Sequence, residues 1–181
     1  MKNIYQIIFA VIFVAVSVFP ANSQKVEKII EKHIKAHGGL EKWEKVKSME
    51  AGKCPIFEIG LEQMMVRNYE EKRLSFSTAY DSIKESKVVF MAVGTPSGDD
   101  GSADLKYVYA ALDQLIPYIT DGLIIVLKST VPIGTGESVK AYLKERTDKK
   151  HTVVNNPEFL KEGSAVNDFL KAERIVIGTD D

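Results

Sequence analysis

The 181-residue chain carries 24 basic against 25 acidic residues, and its 45% apolar content suffices for one ordinary core. The resulting net charge of -1 excludes an electrostatic footprint for nucleic acid or for an anionic membrane surface. A single cysteine, Cys54, excludes an intrachain disulfide and a thiolate metal cluster.

Residues 1–23 read as a signal peptide. Lys2 precedes the almost wholly apolar run Ile4 to Phe19, and Pro20-Ala21-Asn22-Ser23 sets small residues three and one before Gln24. A membrane-spanning helix needs about 20 apolar residues; this run is shorter, so export to the periplasm or beyond is expected and a stable membrane span is not. Residues 24–51 read as a helical segment. Val26, Ile29, Ile30 and Ile34 give Lys25 to Ala36 an amphipathic stripe, Gly38-Gly39 stops it, and Leu40, Trp43 and Val46 line one side of a second short helix. His33 and His37 stand one helical turn apart with no third ligand beside them, so no metal site is expected.

Past Met49 the pattern alternates between strand and helix. Leu74-Ser75-Phe76 predicts a short strand, with Ser77 or Thr78 capping a helix through Ser82 to Glu85. Lys87 to Val93 is a continuous apolar strand of the kind buried on both faces of a parallel sheet. Leu105 to Ile119 reads as a helix with Ser102 or Asp104 as its cap, Leu123 to Leu127 as a strand, Glu137 to Arg146 as a helix, and Thr152 to Val154 and Arg174 to Gly178 as further strands. Such alternation predicts right-handed βαβ crossovers and a doubly wound α/β sheet.

In sheets of this kind ligands bind beyond the carboxyl ends of the strands. Three strand ends here run into Gly94-Thr95-Pro96, into Lys128-Ser129-Thr130-Val131-Pro132-Ile133-Gly134-Thr135, and into Asn155-Asn156-Pro157-Glu158-Phe159-Leu160-Lys161-Glu162-Gly163. Any one of these is ordinary turn chemistry; together they bring hydroxyls, amides and two carboxylates to one rim, which suits a ligand with ribose and phosphate groups.

These residues, with Pro55-Ile56-Phe57-Glu58-Ile59-Gly60-Leu61, Gly101-Ser102-Ala103-Asp104-Leu105 and Arg174-Ile175-Val176-Ile177-Gly178, resemble the nucleotide-sugar dehydrogenase family, nearest to its UDP-glucose 6-dehydrogenases, in order and spacing. The resemblance implies that residues 52–181 form part of a Rossmann-like NAD-binding domain. It also implies NAD-dependent oxidation of a nucleotide sugar such as UDP-glucose to UDP-glucuronate, a step of polysaccharide biosynthesis. Carried over by motif, Thr95 and Pro96 line the adenosine side of the NAD site, and Ser129 and Thr130 approach the nicotinamide ribose. Thr130 also helps hold a catalytic water. Glu158 works with that water as a base, and Glu158, Phe159, Leu160, Lys161 and Glu162 contact the sugar nucleotide, with Glu162 also reaching the nicotinamide end. Outside the resemblance, Glu158 reads as an acid at a helix start. Ile59 stands where the family usually has proline, and Ala172-Glu173 where a proline and an acid are common.

No G-x-G-x-x-G pattern stands before Gly52, and Cys54 does not match the family's nucleophile. The expectation is therefore a partial domain that is inactive as this fragment. Two alternatives accompany it. Ile34 to Trp43 resembles the start of exported lipoprotein-carrier proteins, which implies a binding module, and a half sheet with open edges would form a homo-oligomer or pair with a complete dehydrogenase.

Overall fold

Three apolar runs become strands because β-branched and long aliphatic side chains pack well on a pleated surface: β1 Val88–Met91, β2 Leu123–Leu127 and β3 His151–Asn155. They pair in parallel in the order β1-β2-β3, with Val89 opposite Ile125 and Ile125 opposite Val153. This computed structural model describes residues 40–98 and 101–180. Residues 1–23, expected as a signal peptide, Lys25 to Ala36, expected as a helix, and the pair His33 and His37 lie outside the described residues. The chain divides into two units, one holding residues 40–79 with Glu162–Val166, the other Tyr80–Lys161 with residues 167–180.

In the second unit the register sorts strand side chains onto two faces, since neighbours along a strand point to opposite sides. Val89, Met91, Leu123, Ile125, Leu127 and Val153 share one face, and all are buried. Val88 and Ile124, on the other, remain 36% and 37% exposed. Helix α3, Lys106–Leu115, buries Val108, Leu112 and Leu115, and α4, Thr135–Lys144, buries Val139 and Leu143; all five join the cluster of the first face. Two successive right-handed crossovers wind in one direction and so place their helices on one side of the sheet. Reversal of the winding, which a doubly wound sheet requires, does not occur among the described residues.

Several sequence expectations shift. The helices expected over Leu105 to Ile119 and Glu137 to Arg146 begin within two residues of their predicted starts and end early: α3 passes at Pro117 into the 3-10 turn Ile116–Tyr118, because proline offers no N–H to continue the ladder. Asp104 rather than Ser102 supports the start of α3, its Oδ1 accepting from the Lys106 N–H at 3.0 Å. Lys106 also pairs with Asp104 through its ammonium, and that contact lowers the pKa of the Asp104 carboxyl. Ser82 to Glu85 forms a 3-10 turn, Asp81–Glu85, with Tyr80 at its start and no side-chain cap. Ser77 instead closes a turn on the Ala79 N–H at 3.0 Å, and Thr78 is buried without a hydrogen-bond partner for its hydroxyl.

Two predicted strands do not form. Arg174 to Gly178 contributes a single antiparallel bridge, Gly178 exchanging both backbone bonds with Asn155 at 2.8 and 2.9 Å. Ile175 and Ile177 stay 74% and 66% exposed, so among the described residues this stretch has no packed face to hold it as a strand. The other case, Leu74 to Phe76, is taken up by the first unit. There α1, Leu40–Glu50, and α2, Leu61–Glu70, bury Val46, Met49 and Met65 in one cluster, against which Cys54, Leu74 and Phe76 pack. The Leu74 N–H goes to the Asn68 carbonyl and the Phe76 ring stacks on Tyr69, so both the backbone and the side chains of the segment are committed away from a sheet. Helix α2 and a last short helix, α5 Ala165–Leu170, are absent from the sequence expectation.

Candidate functional site

Because all three strands run parallel, their carboxyl ends lie along one edge of the sheet, and the loops read as ligand-bearing follow those ends. Beyond β1 and β2 two loops are sewn together. The Ser129 hydroxyl donates to the Val93 carbonyl at 2.6 Å and lies 3.2 Å from that of Met91, while the backbone N–H groups of Lys128 and Ser129 both reach the Met91 carbonyl. Thr95 answers from the other side, its hydroxyl donating to the Thr130 carbonyl at 2.8 Å. Thr95, Ser129 and Thr130 are thus joined directly. With the hydroxyl protons of Thr95 and Ser129 given to main-chain carbonyls, their oxygen lone pairs remain as acceptors.

Pro96 is exposed, and its carbonyl accepts from the Asp104 N–H at 2.8 Å, closing the loop that the Ser97–Ala103 bridge narrows. Gly94 is exposed as well, and a Cβ built there meets nothing within 4 Å. The rim beside Gly94, Pro96 and the exposed Thr130 is therefore open, and the acceptors of Thr95 and Ser129 suit ribose hydroxyls, so the residues present fit the ribose portion of a dinucleotide.

Beyond β3 the Asn156 N–H continues the sheet to the Leu127 carbonyl at 3.0 Å, and its side-chain amide donates to the Val176 carbonyl at 2.8 Å. The chain then leaves the sheet. Glu158, Phe159, Leu160 and Lys161 are exposed at the carboxyl end of β3, the strand beside β2. The Arg174 guanidinium stands over the Phe159 ring, 4.7 Å from its centroid, a cation–π contact. Asp168 accepts from the Lys161 N–H at 3.1 Å. Glu162 is exposed and belongs to the first unit. In that unit Glu58 accepts from the N–H groups of Gly163 at 2.7 Å and Ala165 at 3.1 Å.

Sequence reasoning quoted Glu58 and Arg174 only as motif members and passed over Asp168, because their partners sit elsewhere in the chain and no local signal marks them. Among the described residues no group of three His, Cys, Asp or Glu could hold a metal ion, and no helix is long and apolar enough to cross a membrane.

A parallel sheet with crossover helices on one face and polar loops gathered at its carboxyl edge defines the Rossmann-like class of α/β domains. The chain belongs to the UDP-glucose/GDP-mannose dehydrogenase family: its residues 40–181 match the family's NAD binding domain. It is 45% identical over 139 residues to a UDP-glucose 6-dehydrogenase of Rhizobium meliloti, covering 75% of this chain and 32% of that protein. Among solved structures it is similar to a UDP-glucose dehydrogenase from Pyrobaculum islandicum, with a TM-score of 0.70 and 43% identity over 75% of this chain and 33% of that one. A GDP-mannose dehydrogenase from Pseudomonas aeruginosa, in a ternary complex, gives a TM-score of 0.71 at 33% identity over 76% of this chain and 34% of its own. The chain spans about a third or less of the length of the curated relatives it matches.

Proposed function

We propose that this chain carries part of the NAD-binding domain of an enzyme that oxidises UDP-glucose to UDP-glucuronate. The observation that supports this most is the seam of Thr95, Ser129 and Thr130, which ties two strand ends together beside an open edge. NAD, when bound, supplies the hydride acceptor. The chain's own residues would then bind and orient: Thr95 and Pro96 the adenosine side, Ser129 and Thr130 the nicotinamide ribose, and Phe159, Leu160, Lys161 and Glu162 the sugar nucleotide, with Glu162 also at the nicotinamide end. Thr130 would hold a water that Glu158 deprotonates, a base role that demands reach to the water before any tuning of acidity.

The same reading assigns residues 1–23 to an export signal, 24–51 to a helical segment and 52–181 to the partial domain. A polypeptide of these 181 residues would bind NAD weakly at best, and it would not turn over, since its only cysteine, Cys54, packs with Val46, Met49 and Met65 in the first unit's core. Nucleophile removal costs many orders of magnitude in rate. The test is growth of NADH absorbance on mixing the purified polypeptide with NAD and UDP-glucose. No growth is expected, and turnover abolished by Glu158→Gln would show that the polypeptide is catalytically self-sufficient.

A second reading, pairing with a complete dehydrogenase, is favoured by β1. Among the described residues β1 pairs only with β2 and leaves an open edge, beside partly exposed Val88 and Ile124, and such edges recruit strands. Size-exclusion chromatography with light scattering, alone and after mixing with a complete dehydrogenase, distinguishes the two readings.

A further inference from the structure

The loop Pro55–Gly60 is built inside out. Its apolar residues Ile56, Phe57 and Ile59 are 62%, 88% and 75% exposed, while the acid between them, Glu58, is turned inward and half-buried. Apolar burial among the described residues does not set this conformation, because it would turn the three apolar side chains in and the carboxylate out. What holds the loop is the carboxylate: Oε1 accepts from the Gly163 N–H at 2.7 Å and Oε2 from the Ala165 N–H at 3.1 Å, across 105 and 107 residues of sequence. Both bonds are charge-assisted, and together they engage two amides one residue apart, which restrains rotation as well as distance. Gly163 sits at φ 82°, a left-handed conformation open to glycine at little steric cost.

We infer that Glu58 is a positioning residue, a strap that fixes the carboxyl end of the loop bearing Glu158 to Glu162. The role toward substrate rests on the reading of that loop as the sugar-nucleotide contact. Pro157 restrains the loop's amino-terminal side, the Lys161 N–H is held by Asp168, and the Phe159 ring lies under Arg174. Without Glu58 the Gly163 and Ala165 N–H groups lose the carboxylate that accepts from them. The geometry gives Glu58 its task through bonds made wholly within the chain.

The experiment uses the full chain labelled for NMR and compares wild type with Glu58→Ala, Glu58→Gln and Met65→Ala, the last removing buried side-chain volume from the first unit's core. Amide exchange is read at Gly163 and Ala165, and UDP-glucose is titrated while the Phe159 and Lys161 resonances are followed. Glu58→Ala is expected to lower protection at both amides by about tenfold or more, the scale of losing a hydrogen bond to a charged group, and to weaken UDP-glucose binding several-fold. Glu58→Gln, with one acceptor oxygen left, should rescue part of both. Met65→Ala should lower the unfolding midpoint and leave the binding constant unchanged. Unchanged protection in Glu58→Ala overturns the strap, and loss of binding in Met65→Ala equal to that in Glu58→Ala reduces Glu58 to a merely stabilising residue. A wild-type chain that shows no UDP-glucose response overturns the substrate reading of the loop, and the exchange data then judge the strap alone.

Discussion

Ser129→Ala tests the seam at the sheet's carboxyl edge. The substitution deletes one hydroxyl, whose bond to the Val93 carbonyl is short at 2.6 Å. It leaves intact the backbone bonds from Lys128 and Ser129 to Met91, so the two strand ends stay registered. A neutral hydrogen bond contributes about 0.5–1.5 kcal/mol net. Val93 and Ser129 are both half-buried, so water can reach the freed carbonyl and the full penalty of a buried unpaired group does not apply. The expected loss is therefore about 1 kcal/mol. With a urea slope of about 2 kcal/mol per molar, the unfolding midpoint followed by circular dichroism should fall by about 0.5 M with the slope unchanged. Thr95→Val removes the matching bond to the Thr130 carbonyl and should cost a similar amount. Because both bonds join the same two loops, the double variant should depart from additivity by about 0.5 kcal/mol or more. A midpoint unmoved by Ser129→Ala, or strict additivity in the double variant, would show that these hydroxyls face water and that no seam exists.

Leu143 is fully buried in α4, so Leu143→Ala should cost about 2–5 kcal/mol by lost transfer energy and residual cavity, measured by the same urea melts. At Gly136 an added Cβ would stand 2.4 Å from Asn155 Nδ2. Gly136→Ala should accordingly destabilise by about 1 kcal/mol as the Asn155 side chain is forced aside, yet stabilise in an Asn155→Ala background, where alanine's helix propensity acts unopposed. The Tyr80 phenol is pushed up to about 12 by desolvation first and by neighbouring Tyr118 second. The folded state thus favours the protonated phenol. Stability is kept below the ordinary tyrosine value of about 10 and lost as pH rises from there toward 12, and melts at pH values on both sides of that window should show a smaller loss in Tyr80→Phe than in wild type.

What the sequence determined by itself is whatever local patterning controls. Val88 to Val93 and Leu123 to Leu127 are apolar without interruption, and that alone marks them as strands of a parallel sheet with helices between them. The motifs after those strands were legible for the same reason, since a loop that follows a strand in sequence must begin at that strand's end in space. Tertiary structure decided whatever depends on a partner far along the chain. Leu74 to Phe76 has a strand's composition, but the Asn68 carbonyl and the Tyr69 ring claimed it for the first unit. Arg174 to Gly178 carries the apolar run Ile175-Val176-Ile177 and finds one antiparallel bridge. Glu58 reads as one motif acid among several, and its bonds to Gly163 and Ala165 cross more than a hundred residues. The physical reason is common to all three. A pattern of side chains fixes which conformation a segment prefers, whereas a backbone donor or a carboxylate takes whichever partner the folded chain brings within about 3 Å.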